Sequence, residues 1–243
     1  MTHKLTLSLQ NQVALITGGG RGIGAATAEA LARKGAHVSV ASRTRKELSV
    51  TVNQLRANGY SASSVVLDVT DETAVEAAFA QITADFGRLD ILVNNAAILL
   101  SGSFADFAVN DWDRLMAVNL RGAMLCAQQA FRLMRARGGA IVNVSSLGGV
   151  PGTEKFPGYA AYTVSKFALT GLTEALAAEG RDRGIRVNGV APGAVDTAML
   201  RQAAPHLRTC TGPVDVAKVI AFLCDSMESG CMTGAMLVIN SNL

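Results

Sequence analysis

The sequence predicts an α/β fold, a doubly wound parallel sheet of about seven strands with helices on both faces. Three observations predict it. Short β-branched runs alternate with longer segments whose apolar residues recur three and four apart. The strand runs carry little polar interruption, as expected of strands covered on both faces. The chain has 243 residues, 49% of them hydrophobic, enough to bury a large core within one domain. Residues 1–243 are therefore read as a single domain.

Seven runs read as strands: Val13 to Thr17, His37 to Ala41, Ser64 to Asp68, Asp90 to Asn94, Ala140 to Ser145, Ile185 to Val190 and Leu237 to Ile239. Ile23 to Arg33, Ala74 to Phe86, Trp112 to Arg135 and Tyr162 to Arg181 read as helices between them. Right-handed crossovers lay such helices on both faces of a parallel sheet. Two irregular pieces stand out, Leu147 to Gly158 and Ala198 to Pro213. Both are expected at the carboxyl edge of the sheet, where ligands bind in open α/β folds.

Composition excludes several functions. The net charge of +3 comes from scattered Lys and Arg, without the basic, aromatic-interleaved clusters of a nucleic-acid groove. The longest apolar runs fall far short of the ~20 residues a membrane-crossing helix needs. Met1 to Asn11 shows no targeting pattern, and a cytoplasmic protein is expected. Cys126, Cys210, Cys224 and Cys231 lack C-x-x-C spacing and read as free thiols that pack in the interior. His3, His37 and His206 form no ligand cluster with them, so no metal is expected.

The first strand runs into Thr17, Gly18, Gly19, Gly20, Arg21, Gly22, Ile23 and Gly24, and helical sequence follows at once. A turn that presses its backbone against a pyrophosphate needs residues without Cβ, and the helix amino terminus then offers free N–H groups to the anion. The second strand ends in Ser42, Arg43 and Thr44, where NAD sites of this kind carry a carboxylate for the ribose hydroxyls. An Arg there can grip a 2′-phosphate, with Arg21 as a second cation, so NADP(H) is the expected cofactor.

Tyr162 and Lys166 stand at i and i+4 in helical sequence, on one face. A phenol near pKa ~10 exchanges protons poorly at neutral pH unless a neighbour stabilises the phenolate, and lowering it to ~7 takes roughly 4 kcal/mol. Lys166 is the expected source.

These motifs, taken in order with those named below, resemble the short-chain dehydrogenase/reductase family over nearly all of the chain, from Val13 to Ile239, and the resemblance implies its Rossmann-type fold. The resemblance implies hydride transfer between the nicotinamide and a carbonyl or alcohol substrate. It implies that Ser146 holds the substrate oxygen, with Ser145 the lesser candidate. Asn119, in Met116 to Leu120, would help hold a proton-relay water through its backbone at a helix irregularity. Asp68 and Val69 would edge the adenine, Asn95, Ala96 and Ala97 the ribose, and Pro192, Gly193, Val195 and Thr197 the carboxamide. Lys166 would also hold the nicotinamide ribose.

The sequence departs from the family at four places. Ala97 stands where Gly is usual. Ser146 and Tyr162 lie farther apart than usual, so Thr153 to Gly158 reads as an insertion. Tyr159 has the usual distance from Ser146 but Thr163, not Lys, follows it at i+4. Ile239 to Asn242 replaces the usual tail, which bears on the homotetramer, or homodimer, that the resemblance implies through the helices at Trp112 to Arg135 and Tyr162 to Arg181.

Arg137 and Arg183 raise an alternative, a 3-oxoacyl thioester reductase, by their similarity to basic residues of reductases acting on acyl carriers. A non-catalytic NADP-binding regulator is a further alternative, disfavoured because Tyr162 and Lys166 are both present. The segment Ala198 to Pro213 reads as a small lid whose Met199, Leu200 and Leu207 give an apolar pocket and whose Arg201, His206 and Arg208 give it a positive margin.

Overall fold

The computed structural model describes residues 7–240, so His3, Ser241 and Asn242 lie outside the described residues. The strands are β1 (Val13–Thr17), β2 (His37–Ser42), β3 (Ala62–Val66), β4 (Ile91–Asn94), β5 (Gly139–Val144), β6 (Ile185–Pro192) and β7 (Met236–Ile239). They form one parallel sheet in the order β3-β2-β1-β4-β5-β6-β7. The order reverses between β1 and β4, and that reversal opens a crevice at the carboxyl ends of the two strands.

Alternation along β1 divides the core. Ala14 and Ile16 point into one layer with Leu31, Leu48 and Ile220, while Val13 and Leu15 point into the other with Phe79, Leu125 and Cys126. The first layer is closed by α1 (Gly22–Arg33), α2 (Arg45–Ala57) and, later in the chain, α8 (Pro213–Cys224). The second is closed by α3 (Glu72–Phe86), α5 (Gly122–Met134) and α6 (Ala160–Gly180). The seven strands fall where the sequence places them, with ends differing by a residue or two.

The larger differences have local causes. β3 ends at Val66, before Asp68, because the Asp68 carboxylate accepts the Thr70 N–H and hydroxyl and turns the chain out of the sheet. Trp112 to Arg135 is not one helix: α4 (Val109–Met116) passes through a π-helical turn at Ala117–Arg121 into α5. The irregular Ala198 to Pro213 contains a short helix, α7 (Ala198–Ala203), whose first turn is capped by Thr197 Oγ1 accepting the Leu200 N–H. Six residues are too few for periodicity to reveal. A second short helix, α9 (Ser226–Ser229), follows α8.

Cys126 and Cys224 are buried, and burial pushes both thiols up to about 12. Cys210 and Cys231 are exposed, against the expectation of interior packing, because both sit in segments outside the layered core. Among the described residues no helix is long and apolar enough to cross a membrane, and no group of three His, Cys, Asp or Glu is placed to hold a metal.

At the amino edge of the sheet the fully buried Asp225 carboxylate accepts hydrogen bonds from Ser8 Oγ, Lys34 Nζ at 2.9 Å and the Met227 N–H. Burial alone raises its pKa, but these donors outweigh burial and hold it below the usual carboxylate value. A depressed carboxylate contributes stability above its unfolded pKa, and that contribution is lost as pH falls through the folded value. Asp225→Ala is expected to lower stability by about 3 kcal/mol in urea denaturation at neutral pH, with the gap to the parent narrowing below about pH 4.

Candidate active site

The cleft is built first by the β1–α1 turn. Gly18 and Gly22 adopt φ of +65° and +54°, conformations that favour glycine, and the turn reverses sharply into α1. A Cβ on Gly24 would lie 2.3 Å from the Gly18 carbonyl oxygen, so only glycine lets α1 start this close to the strand. The residue that opens α1, Arg21, gives no side-chain cap to its first N–H groups. This turn, with Gly18, Gly20, Arg21, Gly22 and Ile23 on the cleft wall, has the shape and dipole of an anion cradle.

Two side chains tie the cradle across the reversal. Asn95 Nδ2 donates to the carbonyls of Thr17 and Gly18 at 2.9 and 3.1 Å, and Thr17 Oγ1 accepts the N–H groups of Asn95 and Ala96, both at 3.1 Å. Thr17 and Gly24 thus stand behind the cleft wall, whereas Asn95, Ala96 and Ala97 line it. Ala97 does not adopt a positive φ, which is why a methyl group fits where glycine is usual.

On the far side, β5 delivers Ser146 and α6 delivers Tyr162 and Lys166, all lining the same cleft of about 1410 Å³. Ser146 lies beside the Tyr162 phenol, whose pKa it lowers, and its hydroxyl accepts the Gly148 N–H at 3.2 Å. Lys166 is only 2% exposed, donates from Nζ to the Val144 carbonyl at 2.8 Å, and sits 5.7 Å from the centre of the Tyr162 ring. Ser145 is turned away: its hydroxyl donates to the Lys166 carbonyl and meets Thr170 Oγ1, fastening β5 to α6. Asn119, at the π-helical turn, is buried behind the cleft, where its side chain exchanges hydrogen bonds with the Ile98 backbone and donates to Ser165 Oγ.

The short chain dehydrogenase family profile matches residues 12–208. This chain belongs to the short-chain dehydrogenase family. The dehydrogenase is 40% identical over 200 residues to gluconate 5-dehydrogenase of Gluconobacter oxydans, covering 82% of this chain and 77% of that one. It is 34% identical over 248 residues to the 3-oxoacyl-[acyl-carrier-protein] reductase of Vibrio cholerae, covering 98% and 99%. Its fold matches a solved gluconate 5-dehydrogenase from Burkholderia cenocepacia, in complex with NADP and tartrate, with a TM-score of 0.89, 33% identity and coverage of 99% and 98%. The family uses nicotinamide cofactors, and the uncapped glycine turn of this dehydrogenase fits the phosphates of such a group.

The cleft continues away from the glycine turn in both directions. Ser42, Arg43, Thr44, Asp68 and Val69 line one end, and Pro192, Gly193, Val195 and Thr197 line the segment after β6. Arg21 lies 3.4 Å from Glu47, and Arg43 lies 3.9 Å from Asp68. Both arginines are more than half exposed, so these pairs are weak and yield readily to a stronger anion. Glu47, one turn into α2, is a cleft residue that the sequence reading missed, because nothing in a helical Glu distinguishes it from a solvated one.

The electrostatics differ from the expectation in one respect. Burial pushes the Tyr162 phenol up, and Ser146 only partly offsets it. Burial also brings Lys166 down to about 8, since its one protein partner is a neutral carbonyl. The protein's own groups therefore favour a neutral phenol beside a lysine that titrates easily. Such a lysine destabilises the fold below its folded pKa, because the unfolded chain holds the proton up to about 10.4. Lys166→Met is expected to be more stable than the parent by roughly 1–3 kcal/mol in urea at pH ~7, and the difference should close between pH ~8 and ~10.5.

Proposed function

We propose that the protein is an NADP(H)-dependent oxidoreductase that interconverts a carbonyl compound and its secondary alcohol. The observation that carries this reading is the convergence of Ser146, Tyr162 and Lys166 opposite an anion-cradling glycine turn in one cleft. The backbone from Gly18 to Gly22 would hold the pyrophosphate, Arg21 and Arg43 the 2′-phosphate, Asp68 and Val69 the adenine edge, Asn95 to Ala97 the ribose, and Pro192 to Thr197 the carboxamide. When bound, NADPH supplies the hydride that reduces the carbonyl carbon and becomes NADP⁺.

Ser146 Oγ donates a hydrogen bond to the substrate oxygen and stabilises the charge that develops there. Tyr162 Oη delivers the proton to that oxygen, so the C=O bond becomes a carbinol and the phenolate regains its proton from solvent. Tyr162 is protonated at neutral pH, and burial raises its pKa further, which suits it to the reductive direction. Lys166 holds its positive charge near the phenolate that forms. Asn119 is a positioning residue that fixes Ile98 against α6 through Ser165.

The thioester alternative finds no support at the cleft: Arg137 and Arg183 lie just before β5 and β6, at the edge of the sheet opposite the site. The same reading takes the chain as one cytoplasmic domain. It forms a homotetramer through α4 to α6, a face where Met116, Leu120, Met124 and Leu172 line a shallow apolar depression.

Tyr162→Phe is expected to lower NADPH-dependent ketone turnover ~10²–10⁴-fold while nucleotide binding, followed by fluorescence, stays intact. Turnover that survives this change overturns the assignment. The double variant Arg21→Ala, Arg43→Ala should cut the NADPH-over-NADH preference in kcat/KM by roughly tenfold or more, and an unchanged preference refutes the 2′-phosphate assignment. The kcat/KM for reduction should be flat at low pH and fall as pH rises through about 8, where Lys166 loses its proton.

A further inference from the structure

We propose that the substrate is an uncharged, lipophilic ketone or its secondary alcohol, recognised by its carbonyl oxygen and an apolar body. The inference rests on the reading above and names the substrate class for that site. Beyond Ser146 and Tyr162 the cleft runs between two segments, the insertion at Thr153 to Gly158 and the lid at Ala198 to Pro213. Phe156 and Pro157 line it from the insertion, and Met199, Leu200 and Leu207 line it from the lid. Tyr159 Oη donates to the Ala203 carbonyl at 3.1 Å and holds the two walls together. Phe156 and Leu207 are 59% and 44% exposed, two large apolar side chains on opposite walls of one cleft. An apolar body between them would remove both from water.

Three of the charged side chains of these walls have partners within their own segments. Lys155 Nζ donates to the carbonyls of Val150 and Thr153, Arg201 pairs with Asp196, and Arg208 donates to the carbonyls of Pro205 and Leu207. Glu154 and His206 stand exposed on the rim, one from each wall, and Glu154 adds a negative charge that would repel a carboxylate or phosphate. Of the positive margin expected from the sequence, Arg201 is paired with Asp196 and Arg208 is turned onto backbone carbonyls, while Glu154 sets a negative charge on the facing wall. A polyhydroxy acid would leave several of its polar groups without partners against these walls, which costs far more than a misfit methylene.

The test measures NADPH-dependent kcat/KM for 2-decalone, 5-ketogluconate, acetoacetyl-coenzyme A and the small ketone cyclohexanone. The parent should prefer 2-decalone over the two anionic compounds by about a hundredfold. Phe156→Ala and Leu207→Ala, at side chains exposed enough to be truncated without unfolding, should each raise KM for 2-decalone about tenfold. They should leave kcat, and KM for cyclohexanone, within about twofold. Equal or better use of either anionic compound overturns the proposal while leaving the reductase reading in place. So does a KM for 2-decalone that neither variant moves, or a loss that extends equally to cyclohexanone. Tyr162-dependent turnover of none of the four overturns the reductase reading and the substrate class together.

Discussion

The burial of the Lys166 ammonium is the constraint on which the rest of the site depends. An ammonium that is 2% exposed and donates to a neutral carbonyl is costly to bury, and the backbone around it is tied by several hydrogen bonds. Ser145 donates to the Lys166 carbonyl, and Thr170 Oγ1 shares a hydrogen bond with the Ser145 hydroxyl and is within bonding distance of the Gly149 carbonyl. A Cβ on Gly149 would lie 2.6 Å from the Lys166 carbonyl carbon and oxygen, so a glycine is what allows the loop after β5 to lie on the helix. One turn earlier on the same helix, Tyr162 is thereby delivered to Ser146. The local cost of the buried charge is met by the stability of the surrounding core, a common arrangement at functional sites.

The same logic of close approach operates at the other end of the cleft. Parallel pairing of β1 with β4 places the Thr17 and Asn95 side chains across the strand reversal, and their hydrogen bonds close the gap that the topology opens. The glycine turn is then fixed from below by Asn95 and from the side by α1. Thr197, the residue that caps the short lid helix, stands next to the glycine turn: a Cβ on Gly22 would lie 3.5 Å from its methyl group.

Much of this was legible in the residues. The strands are written in β-branched runs, the turn in Gly18, Gly22 and Gly24, and the pair Tyr162 and Lys166 in a helical spacing, because each requirement is local. What was not legible depends on contacts between distant segments. Asn119 reads as an unfavourable Asn in an apolar helix, but its partners Ile98 and Ser165 come from elsewhere in the chain. Thr17 and Gly24 sit in a binding motif yet stand behind the wall, since a motif records which residues are needed and not which of them face the cleft. The six-residue lid helix and the pairing of Arg201 with Asp196 leave no periodic trace, and the helix irregularity at Asn119, now a π-helical turn, was implied by the family resemblance and not by periodicity. The direction of the Tyr162 shift also escaped the sequence, because burial is a property of the packed fold.

The central claim is that the site holds a buried lysine whose pKa is set by desolvation beside a phenol kept neutral. The most direct measurement is a pH titration by NMR of protein carrying ¹³C-labelled lysine, with the Lys166 signal assigned by its absence in Lys166→Met. The account predicts a midpoint of about 8 for that signal. A midpoint at the ordinary lysine value of about 10.4 would contradict it, and would mean that the ammonium is solvated or paired in a way this structure does not have.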